Sequence, residues 1–183
     1  MENVNRGFRD RDYIRTSDNL FFTVIGNVHP KNRVLAYLKY LPKSRGKWGS
    51  CRKRYARSIR YYSATNIMET VDFLRKSYPQ YVYRYEPLQV DFSTVPHDRI
   101  AKHYWPEERI EELRRAKHLD GLDKKAIDLA SFLCDHSGVV IDQLGVTGSI
   151  LLNIHRDFSD IDLTVYGREG SRRIKEALLS LCE

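Results

Sequence analysis

The sequence predicts an α+β protein in two regions: a basic, strand-rich stretch over residues 1–105 and an αβαβα stretch over residues 106–183. Three observations carry that prediction. Residues 20–28 are rich in Phe, Val and Ile, and a second largely apolar stretch follows over residues 33–41. After residue 105, helical periodicity alternates with two short apolar strands. Charge divides the same way: residues 1–105 hold 20 Lys and Arg against 9 Asp and Glu, whereas residues 106–183 hold 11 against 15. Halves of opposite sign suggest different partners.

Composition removes several classes. Apolar residues make up 42% of the 183, enough for a core and too many for a disordered chain. No run approaches 18 apolar residues, which argues against a membrane span. Residues 1–12 are charged and lack the apolar segment of a secretory signal. Cys51, Cys134 and Cys182 are widely spaced and odd in number. They read as reduced thiols of a cytoplasmic protein, without zinc-type spacing.

The elements follow in order. Strands over 20–28 and 33–41 flank a His29-Pro30-Lys31-Asn32 turn and suggest an antiparallel hairpin, closed by Pro42. Residues 43–54 read as a basic loop and 55–62 as a third strand. Thr65 suits the cap of a helix over 66–77, with Ile67, Val71 and Leu74 on one face. Residues 81–92 read as extended, broken at Pro87. Pro106 opens a helix whose Glu107 and Glu108 suit its positive end. A second helix runs from about 123 to 136, with Gly138 as its stop. Then come a strand over 143–147, a short helix over 150–154, a strand over 159–166, and a final helix that Ser171 caps.

The chemistry lies in Gly145-Val146-Thr147-Gly148-Ser149 and, ten residues on, Asp160-Ile161-Asp162. In a strand, alternate side chains share a face, so Asp160 and Asp162 would stand about 6.5 Å apart at ~3.3 Å per residue. Neighbouring carboxylates repel unless a divalent cation lies between them, and Mg²⁺ favours a few carboxylates plus substrate phosphates. A Gly-Ser turn at a helix start offers backbone N–H groups and a hydroxyl to phosphate. Either half alone is weak: paired strand aspartates are usually a solvated face. The ordered combination is much harder to meet by accident.

Residues 145–167 resemble the core motif of the polymerase-beta nucleotidyltransferase superfamily. The whole chain is also similar to the N-terminal part of a group of uncharacterised archaeal proteins with this domain. That likeness rests on Phe8-Arg9-Asp10-Arg11-Asp12, Val28-His29-Pro30, residues 33–40 and residues 145–167. The resemblance implies a mixed sheet flanked by helices, Mg²⁺ (or Mn²⁺) dependence and a nucleoside triphosphate donor. It implies Gly148 and Ser149 as phosphate holders, and Asp160 and Asp162 as metal ligands and catalytic carboxylates. It also implies a third carboxylate on a strand after the helix that here ends near Glu183, so the domain reads as partial and the chain as a shortened form or a fragment. An absent strand would leave an exposed edge, inviting pairing between copies.

No Asp or Glu occurs from Asn19 to Met68, while eleven Lys and Arg do. Lys43, Arg45, Lys47, Arg52, Lys53, Arg54 and Arg57 are interleaved with Trp48 and Tyr55, and Tyr61 and Tyr62 follow. Cations neutralise phosphates and aromatics stack on bases, which suits RNA or single-stranded DNA. A solvated basic face with tyrosines packing the sheet explains the same residues. Tyr81, Tyr83 and Tyr85 fit a half-buried strand. His97 and His103 read as surface histidines, and His155 as a loop histidine. Two functions follow: Mg²⁺-dependent transfer of a nucleotide to a hydroxyl, or a non-catalytic nucleic-acid-binding module with a degenerate transferase domain.

Overall fold

A computed structural model describes residues 6–58 and 64–181 and shows an α+β protein. The chain divides into two compact units, residues 1–103 and 104–183.

The first unit is a curled sheet with one helix. Its strands are β1 (Tyr13–Thr16), β2 (Phe21–Val24), β3 (Arg33–Pro42), β4 (Trp48–Ser50) and β5 (Lys53–Arg57). Helix α1 (Ala64–Ser77) follows, then β6 (Val82–Tyr85), β7 (Val90–Pro96) and β8 (Ile100–Tyr104). The order is β4-β5-β3-β2-β1-β8, with β7 joining β3 and β6 joining β7. The ten-residue β3 organises the unit. One edge pairs antiparallel with β2; the other pairs with β7 through Arg33–Leu35 and with β5 through Tyr40–Pro42. Alternate β3 residues Val34, Ala36 and Leu38 are fully buried, as a pleated strand with one covered face requires. They pack with Ile14, Phe22, Val24, Leu74 and Val95. Each large apolar side chain so buried contributes about 1.5–3 kcal/mol.

Several expectations shift here. Strand β2 is shorter than residues 20–28, and β1 beside it and β8 beyond β1 form where no strand was expected. The third strand is Lys53–Arg57; Tyr61 and Tyr62 of the expected 55–62 lie outside the described residues. Val71 and Leu74 of α1 face the core, but Ile67 is 43% exposed. Tyr81 sits in a 3₁₀ turn (Pro79–Tyr81), where it is fully buried and its hydroxyl donates to Asp18. His97 is exposed as expected, whereas His103 is not a surface residue. Its Nε2 lies 2.8 Å from the wholly buried Asp12 carboxylate, and its ring stacks on Phe8 at 4.3 Å. Asp12 also accepts two bonds from Arg6, at 2.7 and 2.8 Å, and one from the Arg9 N–H. Burial pushes its pKa up, but the bonds from His103, Arg6 and Arg9 outweigh that and hold it below the ordinary carboxylate value.

The second unit holds α2 (Pro106–Arg115), α3 (Gly121–Ser137), β9 (Leu144–Val146), α4 (Gly148–Leu151), β10 (Leu163–Val165) and α5 (Arg168–Ser180). Helix α3 starts two residues before the expected 123. Asp120 is its N-cap, accepting from the N–H groups of Leu122 and Asp123, and left-handed Gly138 ends it. The core gathers Ile110 and Leu113 of α2, Ala126, Ala130 and Leu133 of α3, Leu144 and Val146 of β9, and Ile174 of α5. The described strands of this unit form a two-stranded antiparallel ladder, with Leu163 opposite Val146 and Val165 opposite Leu144, rather than a mixed sheet. The reason is connective: one helical turn and a loop return β10 beside β9, and an antiparallel return needs no long crossover.

Candidate active site

The ladder places the Gly-Ser turn beside the Asp-x-Asp segment. Strand β9 runs through Thr147 into the turn, and the Thr147 N–H donates to the Asp162 carbonyl at 2.9 Å. That bond extends the pairing one step beyond β10, so residues 160–162 are an approach to the strand rather than part of it. Ile161 still packs against the core, and Asp160 and Asp162 on either side of it are exposed. The expected alternation therefore holds without regular strand structure.

Gly148 explains why the turn carries a glycine. Its φ is +70°, in the left-handed region. A methyl group on its Cα would stand 2.5 Å from Asp162 Oδ2. The missing side chain thus leaves the Asp162 carboxylate the space it occupies against the turn. Ser149 follows at 4% exposure. Helix α4 is a single turn, so the aligned peptide dipoles of a long helix are not available here. Any phosphate contact rests instead on the local N–H groups and the Ser149 hydroxyl.

The two aspartates differ from the paired carboxylates of this unit. Neither makes a side-chain hydrogen bond or ion pair with another described residue. Glu169 and Glu176 both bind Arg172, at 2.7 and 2.6 Å. Asp123 pairs with Arg109 at 3.4 Å, and Asp120 lies 2.6 Å from His155 Nε2.

That last group is what sequence reasoning missed. His155 is not a plain loop histidine: its side chain is 6% exposed and docks on the N-terminus of α3. Arg109 of α2 donates from Nε to the Ile150 carbonyl at 3.0 Å. Arg109 thereby holds α4, while Asp120 and Asp123 hold the loop that leads to Asp160. Burial raises the Asp123 pKa against the pull of Arg109 and His155, with Asp120 adding to the rise. Asp120, more exposed, is lowered: its own burial is outweighed by the Asp123 N–H and His155. Among the described residues, Asp120, Asp123 and His155 form the trio of ligand-type side chains whose donor atoms all lie within 4.8 Å of one another. Their cap and ion-pair bonds already account for the arrangement. No described third carboxylate, histidine or cysteine joins Asp160 and Asp162 in such a group.

The other expected site residues lie in the first unit. Lys43, Arg45, Lys47, Arg52, Lys53, Arg54 and Arg57 are all exposed on or beside the β4–β5 hairpin. No described helix is long and apolar enough to cross a membrane.

Comparison with known proteins adds one relationship. An uncharacterised protein of Methanocaldococcus jannaschii, MJ1086, is 32% identical over 173 residues, which cover 93% of this chain and 51% of that protein. The match therefore runs through both units, and the chain spans about half the length of the curated relative it matches. No family profile matches the chain. No solved structure matches it.

Proposed function

We propose that the second unit carries a divalent-metal-dependent nucleotidyltransferase site, with a nucleoside triphosphate as donor and a hydroxyl as acceptor. One observation carries this reading: two exposed aspartates without side-chain partners among the described residues flank a core residue, and the space that Gly148 leaves open is filled by the carboxylate of Asp162. A glycine in the left-handed region that makes room for a carboxylate with no partner among the described residues fits a ligand-holding role better than a packing role.

In this reading Asp160 and Asp162 offer oxygen ligands to Mg²⁺ or Mn²⁺, a donor set suited to hard cations. A divalent ion held there would supply charge that offsets the triphosphate and would ease loss of the hydroxyl proton. The N–H groups of Gly148 and Ser149 and the Ser149 hydroxyl hold phosphate oxygens. The acceptor oxygen bonds to the α-phosphorus as the bond to pyrophosphate breaks, and the hydroxyl proton passes to solvent. With no third described carboxylate beside the pair, the chain should bind nucleotide weakly and turn over slowly.

Calorimetric titration of Mn²⁺ with a non-hydrolysable nucleoside triphosphate tests this. Asp160→Asn and Asp162→Asn should each weaken metal binding and leave the fold intact. Equal metal affinity in the wild type and the double variant would overturn the assignment.

A further inference from the structure

We propose that the β4–β5 hairpin of the first unit is a docking surface for single-stranded nucleic acid. The proposal stands whether or not nucleotide transfer occurs in the second unit.

Seven cations lie within fifteen residues: Lys43, Arg45, Lys47, Arg52, Lys53, Arg54 and Arg57. All are exposed, and none forms an ion pair with a described carboxylate. Several arginines elsewhere are paired. Arg75 and Arg84 share Asp91, Arg114 and Arg115 share Glu111, and Arg172 binds both Glu169 and Glu176. In those places the chain supplies a carboxylate. On the hairpin it supplies none, and the positive charge remains for an outside anion.

The hairpin is also held in shape. Lys43 N–H donates to Arg54 O at 3.0 Å, and a methyl group on Gly46 would stand 2.1 Å from Tyr55 O, so the 43–47 turn lies directly on β5. Tyr55 packs on Phe21 at 4.9 Å and Trp48 on Tyr40 at 5.6 Å, fastening both strands to the sheet. Cations on a fixed support lose less freedom on binding than cations on a loose loop.

One contact favours single strands over a duplex or a lipid surface. The Arg57 guanidinium lies 4.7 Å from the centre of the Trp48 ring. Arg57 is exposed, so its outer face offers a flat, charged platform of the kind on which unpaired bases stack. Lysine at a sheet edge can also serve to prevent strand pairing, but that role needs one or two charges and no guanidinium–indole stack.

The test is fluorescence anisotropy with a labelled oligouridylate and a labelled oligothymidylate, without nucleoside triphosphate or divalent metal. Omitting both keeps a failure here distinct from a failure of the transferase reading. If all seven cations meet phosphates, affinity should fall about 10³-fold between 50 and 200 mM salt, from a slope of about −0.7 per contact. Arg52→Ala, Lys53→Ala and Arg54→Ala together should reduce that fall to about 50-fold. Arg57→Ala should weaken binding more than Arg57→Lys, which keeps the charge and loses the plane. Heparin or phosphatidylserine vesicles competing as well as the oligonucleotides, an unchanged salt slope in the triple variant, or equal effects of the two Arg57 variants would each overturn the proposal.

Discussion

Gly148→Ala separates the backbone's role at the turn from the carboxylate's. Gly148 has φ +70°, where an L-residue with a Cβ is strained by roughly 1–2 kcal/mol. The new methyl group would also stand 2.5 Å from Asp162 Oδ2. That oxygen ends an exposed side chain with no partner among the described residues, so it can rotate away cheaply. The stability loss should therefore stay near the backbone figure, about 1–2 kcal/mol in urea denaturation. Metal binding should suffer more, because the rotated carboxylate no longer lies against the turn. Loss of that ligand should weaken Mn²⁺–nucleotide affinity at least about tenfold, or ~1.4 kcal/mol. The double variant Gly148→Ala, Asp162→Asn should show the stability loss in full but little further loss of metal affinity, since both changes remove one ligand. Wild-type metal affinity in Gly148→Ala beside a defective Asp162→Asn would refute the link between the glycine and the carboxylate. An unchanged urea midpoint would refute the strain.

Two further outcomes concern the first unit. Asp12→Ala should cost about 3–5 kcal/mol, because it leaves Arg6 and His103 without their buried partner. The Asp12 pKa is depressed in the fold, so its contribution is full above about pH 4 and lost as pH falls through the folded value; acid denaturation of the variant should be flatter there. Tyr81 is pushed up to about 12, by burial first and then by its bond to Asp18. Its contribution is thus full below about pH 10 and lost as pH rises through about 12. Tyr81→Phe should remove one late-titrating phenol from the ultraviolet titration and flatten stability over that window.

What the sequence makes legible is local. The Pro106 start of α2 and the Gly138 stop of α3 rest on residue types that act within one turn of chain. The Gly148–Asp162 neighbourhood was readable because a short return brings β10 against β9, and motif order survives such a return. The Asp12–His103 and Asp120–His155 pairs join residues 91 and 35 positions apart, and no periodicity marks them. Strands β1 and β8 escaped notice for a related reason. Each is only four or five residues long and carries polar residues, and each is fixed by its neighbours in the sheet rather than by its own pattern. Asp120 left a signal that could have been read: an aspartate directly before a glycine and an apolar helical run is a cap.

The stability of the Asp160 and Asp162 variants decides whether the pair is structural or functional. At the ~6.5 Å expected for alternate strand residues, two unit charges in water repel by about 0.6 kcal/mol. Neither carboxylate has a hydrogen-bond or ion-pair partner among the described residues, so neutralising one removes repulsion and breaks nothing. Asp160→Asn and Asp162→Asn should therefore leave the urea midpoint unchanged or raise it by at most about 0.6 kcal/mol. Carboxylates that hold the fold behave in the opposite way, as Asp12 should. If either variant instead destabilised the second unit by more than ~1 kcal/mol, the pair would be engaged in the fold and its exposure would be no sign of a ligand. Stability held constant while Mn²⁺ affinity falls is the combination that only a ligand role produces. The same logic protects the test from a trivial failure, because a variant that folds as the wild type does cannot lose metal by losing its shape.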